Sequence, residues 1–125
     1  MAKKVKLTVR PSRIHGLGLF AAEPIQWGQR LIVFEGQRIP AKEAKRRQRF
    51  YDSIGYLCML QLNDRHYIDG TVGGNESRFI NNSGKPNVGA IRERGRIVFY
   101  ALNDIAKGRE LTFDYGFDPG VQATR

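Results

Sequence analysis

Glycine and proline punctuate this chain so often that very little of it can be helical. Fourteen glycines and five prolines are spread over 125 residues. Inside a helix, each glycine costs about 1 kcal/mol relative to alanine and each proline about 3. One window stands apart. Pro40 suits a first helical turn and "AKEAKRRQRFYDSI" is rich in helix formers, which predicts a helix over residues 40–54. Ala41, Ala44, Phe50, Tyr51 and Ile54 give it a ragged apolar face, and Lys42, Lys45, Arg46, Arg47 and Arg49 decorate the rest.

The remainder reads as short strands between turns. "VKLTVR" (5–10) alternates with period two, as a half-buried or edge strand does, and "QRLIVFEG" (29–36) is an apolar strand stopped by Gly36. "YLCMLQL" (56–62) and "RHYIDG" (65–70) flank Asn63-Asp64, a two-residue hairpin signal, and "VGAIRER" and "RIVFYAL" flank Gly95 in a second. "ELTFDYGFD" is a strand in which Phe113 and Tyr115 alternate onto one face, and "PGVQATR" is expected to be a loose tail. The segment "RFINNSGKPN" (78–87) carries more turn-forming residues than a surface turn needs. These elements predict one mainly β domain, long enough to bury about two-thirds of its unfolded surface.

Twenty-one Lys and Arg against twelve acids give a net charge of +9, which favours contact with nucleic acid or an acidic protein. The single cysteine, Cys58, excludes an internal disulfide and a multi-cysteine metal site, and its setting in "YLCMLQL" reads as a small buried apolar residue. No apolar run approaches the roughly 18 residues of a membrane helix. "MAKKVKLTVRPS" lacks an apolar core, so no signal peptide is expected and an intracellular site, cytoplasmic or nucleoid/nuclear, is. His15 and His66 have no metal-ligand spacing, and no Ser lies in G-x-S-x-G. "GLGLFA" fits G-x-G-x-x-A, but Pro11 disturbs the strand before it, and Pro24 and Gly28 forbid the helix a dinucleotide site requires. What survives is backbone bent at Gly16 and Gly18 so that something can approach closely.

Three segments in one order carry more than any of them alone. "GLGLFA" (Gly16 to Ala21), "GNESRFINNSGKPN" (Gly74 to Asn87) and "ELTFDY" (Glu110 to Tyr115) resemble the three motifs of the SET domain, the family of S-adenosylmethionine-dependent protein lysine methyltransferases. The resemblance runs from about residue 7 to 118. It departs at Asn82, where the family pattern has His, and at Gly84, where it has Cys.

The resemblance implies a fold of short strands and small sheets, with a knot-like C-terminal crossing and one short helix. It implies a SET domain over 1–118 with a tail at 119–125, and no Cys-rich flanks. It also implies a site. Backbone at His15, Gly16, Leu17 and Gly18 and the pair Asn81-Asn82 hold S-adenosylmethionine, with Asn81 at its amino-acid end and the Asn82 backbone at the adenine. Arg78 supports the carboxylate, Tyr56 lies beside cofactor and lysine channel, and Phe117 packs on adenine. Tyr115 orients the amine, and Phe113, two residues before it, sets the number of methyl groups added. The expected activity is lysine methylation of a protein, releasing S-adenosylhomocysteine, without a metal and with capacity for di- or trimethylation. The expected partners are a basic, chromatin-like substrate, nucleic acid along helix 40–54, and a second copy or the chain's own tail closing the cofactor site. The competing reading is a SET fold that has lost turnover and uses its basic surface to hold nucleic acid or an acidic protein. A Gly84 without the family's side chain predicts a looser crossing, and an Asn82 acting through its backbone predicts little effect from the lost His.

Overall fold

The computed structural model describes residues 4–54 and 56–115 and the pairing of 121–122. Two segments, β1 (Leu7–Pro11) and β2 (Leu17–Ala21), pair antiparallel. A three-stranded sheet follows the order β3 (Arg30–Val33), β9 (Arg96–Ala101), β8 (Val88–Glu93). A four-stranded sheet runs β11 (Val121–Gln122), β5 (Met59–Gln61), β6 (His66–Asp69), β4 (Gln37–Pro40). The smallest sheet pairs β7 (Asn81–Asn82) with β10 (Thr112–Phe113) in parallel. One α-helix, α1 (Ala41–Tyr51), and a 3-10 turn at Glu76–Phe79 complete the described elements.

The mainly β expectation holds, and the β8–β9 hairpin shows why. Arg94 and Gly95 both take positive φ, 50° and 74°, the pair of left-handed residues that a two-residue turn needs to match strand twist. The β5–β6 connection is different. Its strands are shorter than the sequence pattern suggests, and four residues span the gap rather than the Asn63-Asp64 pair alone. Asn63 Oδ1 accepts from the amides of Arg65 and His66, both at 2.9 Å, so an asparagine side-chain turn replaces the tight backbone turn.

Helix α1 is also shorter than residues 40–54, and of the expected apolar face Ala44 and Tyr51 pack inward while Phe50 and Ile54 do not. Ala44 is its buried residue, packed with Ile39, Cys58 and Met59, whereas Phe50 is 67% exposed. A polar clamp seats the helix instead. The Asp69 carboxylate, fully buried on β6, accepts from Arg47 Nη1 at 2.8 Å, Tyr51 Oη at 2.7 Å and both Thr71 donors. Arg47 therefore points inward, paired also with Glu43, and does not join the basic outer face assigned to it from the sequence. Burial pushes Asp69 up, yet the bonds from Thr71, Tyr51 and Arg47 outweigh it and hold its carboxyl below the usual range.

The main core is organised around the C-terminal strand. Phe113 and Tyr115 are both buried, as their alternation suggests, and the rings of Phe34, Phe99, Phe113 and Tyr115 follow one another at centroid distances of 6.1, 5.4 and 6.2 Å. Residues 109–113 pass between two partners. On one side Leu111 N–H donates to Leu19 O and Ala21 N–H to Arg109 O, and on the other β10 pairs with β7. The chain end thus crosses between the first strands and the asparagine-rich segment. The tail is not wholly loose: Val121 pairs with Leu60 and Gln122 with Met59.

Candidate active site

The first glycine turn is forced by space as well as by dihedral angle. Gly16 has φ +44°, and a Cβ there would run into the Tyr56 hydroxyl. That hydroxyl accepts the Leu17 amide at 3.0 Å, and the Tyr56 ring meets His15 and Phe79 edge-on at 4.8 and 5.4 Å. Arg78 lies with its guanidinium 4.8 Å above the Phe79 ring. Among the described residues no carboxylate pairs with it, so an exposed cation stands one residue from the Tyr56 contact.

The turn is held from beneath by Asn81, which is 1% exposed. Its Nδ2 lies 3.1 Å from both His15 O and Leu17 O and 2.8 Å from Glu110 Oε2. The Glu110 carboxylate also takes the Ser12 hydroxyl, 2.8 Å from each oxygen, and Ser12 Oγ in turn accepts the Ile14 amide at 2.9 Å. Gly18 sits on this network, where a Cβ would stand 2.8 Å from Glu110 Cδ and 3.1 Å from Ser12 Cβ. The sequence did not single out Ser12 or Glu110. The only local sign was a serine two residues before an amide that needs an acceptor, a common motif at turns.

Asparagines also serve the strand that ends in Tyr115. Asn87 brackets it, donating through Nδ2 to Glu110 O at 2.9 Å and accepting the Thr112 amide at 2.8 Å. Asn82 Oδ1 accepts the Tyr115 amide at 2.8 Å, and the Tyr115 hydroxyl donates to Ile80 O. In the turn-rich "INNSGKPN", Asn82 and Asn87 are therefore side-chain brackets standing in for rungs that the two-residue β7 is too short to supply. Burial pushes the Tyr115 phenol well above its usual range, which keeps it protonated. Burial likewise pushes Cys58 up to about 11, in keeping with an inert core thiol.

His15, Gly16, Leu17, Gly18, Tyr56 and Asn81 thus converge on one turn, Arg78 stacks on Phe79 next to Tyr56, and Asn82, Phe113 and Tyr115 meet on the adjoining strand. Phe113 also faces a groove of about 510 Å³ that it shares with Leu62, Val88, Tyr100 and Leu102, with Asp114 beside it. Phe117 lies outside the described residues. Among the described residues no three His, Cys, Asp or Glu side chains gather as a metal site, and no helix is long and apolar enough to cross a membrane.

Comparison with known proteins gives the family. The SET domain family matches residues 16–116. The chain belongs to the SET-domain family. It is 42% identical over 122 residues to "Histone-lysine N-methyltransferase, H3 lysine-4 specific" of Schizosaccharomyces pombe, covering 93% of this chain and 13% of that protein. It is 40% identical over 111 residues to "Histone-lysine N-methyltransferase trithorax" of Drosophila virilis, covering 85% of this chain and 3% of that protein. Its fold superposes on a chain of the Chaetomium thermophilum Polycomb Repressive Complex 2 with TM-score 0.75 and 35% identity, over 93% of this chain and 16% of that one. The SET unit described here is a small part of each relative's length. Two positions depart from the SET pattern, Gly84 and Asn82. Gly84 is exposed, and a Cβ there would meet nothing within 4 Å. Asn82, in contrast, uses its side chain and not only its backbone.

Proposed function

We propose that this SET domain transfers methyl groups from S-adenosylmethionine to lysine side chains of a basic, histone-like protein. The observation that supports the reading is the bonded unit formed by the glycine turn, Asn81, Glu110 and the Tyr115 strand, with the exposed Arg78 cation stacked on Phe79 beside Tyr56. The donor set suits the cofactor. Arg78 offers a charge-assisted partner for a carboxylate, and the Gly16 turn allows close approach because it carries no side chain. When bound, S-adenosylmethionine would supply an electrophilic methyl on a positively charged sulfur.

The work left to the chain is positional. Asn81 spends its amide on His15 O, Leu17 O and Glu110, so it shapes the turn with its side chain while its backbone is held in the β7–β10 ladder. A free lysine with pKa about 10.4 needs about 4 kcal/mol to be neutral near pH 7.4. An apolar channel beside Tyr115 would lower that cost by disfavouring the ammonium ion. Tyr115, protonated and fixed on Ile80 O, is suited to orient an amine rather than to remove its proton. Phe113 has no hydroxyl to anchor a water where a methylated amine must turn, which supports di- and trimethylation. Residues 1–118 form the SET unit in this reading and 119–125 its tail. The pairing of Val121–Gln122 with β5 supports closure by the chain's own tail over closure by a second copy. Outward-facing Lys42, Lys45 and Arg49, with Arg46 shared with Glu43, are the helix cations left for nucleic acid.

Calorimetry with S-adenosylmethionine tests the site. Binding in the micromolar range, weakened at least tenfold by Arg78→Gln, is expected. A folded protein that evolves no binding heat would favour the turnover-free alternative.

A further inference from the structure

The strand that carries Tyr115 runs out of partners before it reaches that residue. The parallel ladder pairs Thr112 with Asn81 and Phe113 with Asn82, and the Ser83 amide donates to Phe113 O at 3.1 Å. Tyr115 lies beyond those rungs at 1% exposure, where an unpaired amide would be costly. Asn82 supplies the missing partner with its side chain: Oδ1 accepts the Tyr115 N–H at 2.8 Å. The far end of the same residue is taken by the same segment, because the Tyr115 hydroxyl donates to Ile80 O. Residues 80 and 82 therefore hold Tyr115 at its ring tip and at its backbone. The two points, together with packing on Phe113, define where the phenol stands, and losing the backbone bond would loosen the strand end that carries it.

We propose that Asn82 is a positioning residue that acts through Tyr115, and that position 82 requires a hydrogen-bond acceptor on the atom next to Cγ. The inference rests on the methyl-transfer reading for its consequence and on geometry for its substance. It explains why Asn can stand where the SET pattern has His. Asparagine Oδ1 and histidine Nδ1 are both bonded to Cγ, so a neutral imidazole can accept at the same place. The two differ in one respect. An imidazolium carries N–H on both nitrogens and cannot accept, whereas the amide accepts at every pH. Asn82 makes the hold on Tyr115 independent of pH, and a histidine there would release it on protonation near pH 6.5.

The test uses the full chain with Asn82→Leu and Asn82→His. Steady-state methylation of a histone-like substrate gives kcat and KM, and hydrogen exchange reads the Tyr115 amide without substrate. Asn82→Leu should lower kcat at least tenfold with the KM for S-adenosylmethionine within threefold, and its Tyr115 amide should exchange at least tenfold faster. Asn82→His should recover to within threefold of wild type at pH 8.5, and its rate relative to wild type should fall about three- to fourfold by pH 6, as a group titrating near 6.5 requires. The other ionisable groups on the surrounding elements are Asp114 beside Tyr115, Lys85 on the following turn, Glu110 against Asn81, and Cys58 and Tyr56 facing Tyr115. Both proteins contain them, so they cancel in that ratio. If Asn82→Leu does not fold, the His ratio carries the test alone. Wild-type kcat and amide protection in Asn82→Leu, or a His variant as impaired as Leu at pH 8.5, would overturn the proposal. A wild type that transfers no methyl would remove the functional reading, and the exchange result would then decide whether Asn82 holds Tyr115.

Discussion

Adding one methyl group at Gly18 should unlatch the glycine turn. The Cβ of Gly18→Ala would press on Glu110, whose Cδ would stand 2.8 Å away and whose Oε2 would be closer still. A carboxylate can often swing aside, but this one is held by Ser12 at 2.8 Å and by Asn81 at 2.8 Å. Moving it breaks or stretches both bonds. Hydrogen bonds to a charged group contribute about 1.5–3 kcal/mol each, and partial relaxation of the turn would recover some of that. The expected destabilisation is therefore about 2–4 kcal/mol, a large part of a stability of roughly 5–15 kcal/mol. Urea denaturation should show a lower midpoint with an unchanged slope. The double variant Gly18→Ala/Glu110→Ala supplies the control. With the carboxylate gone, the extra methyl has room, so the cost of Gly18→Ala should fall by at least about 1.5 kcal/mol in that background. A loss under about 0.5 kcal/mol in the wild-type chain, or the same loss in both backgrounds, would refute the reasoning.

Asp69→Asn should destabilise the fold by about 3 kcal/mol, because it leaves Arg47 facing a neutral amide. The folded pKa of Asp69 is lowered, so its contribution is present above the unfolded value near 3.9 and is lost as pH falls through the lower folded value. Acid titration of stability should accordingly be flatter below pH 4 in Asp69→Asn. Phe113→Tyr should shift products toward monomethyl-lysine at a similar first-step rate, read by mass spectrometry over an exhaustive time course; one bond to the restored water is worth about 1 kcal/mol. Lys45→Gln with Arg49→Gln should weaken DNA binding and reduce its log–log salt slope by about 2, since each phosphate contact contributes about 0.9. Absence of DNA binding by wild type at low salt would remove that partner.

Much of this was legible in the sequence because it follows local rules. Arg94-Gly95 announces its turn by the only backbone angles that fit, and Phe113 and Tyr115 alternate into the core as a strand must. The "GLGLFA" segment could be read as bent backbone for the same local reason, although its dependence on Tyr56 and Glu110 could not. What failed to show were partners remote in sequence. Asp69 draws Arg47 inward from a helix face that periodicity marks as solvated, and Phe50, an apparent core residue, is left outside. The asparagines displayed their number but not their use. Turn propensity explains one or two of them, whereas Asn81, Asn82 and Asn87 are fixed by acceptors and donors on a strand about thirty residues away that no local pattern reveals.

Methyl transfer itself is the most direct measurement. The purified chain would be incubated with methyl-labelled S-adenosylmethionine and core histones, beside Tyr115→Phe. Label should enter lysine side chains with wild type. Tyr115→Phe should reduce that rate at least thirtyfold, or about 2 kcal/mol of barrier, while calorimetric affinity for the cofactor stays within threefold. Equal label incorporation by the two proteins would contradict the role given to Tyr115, and no label on any histone despite measurable cofactor binding would contradict the proposed activity.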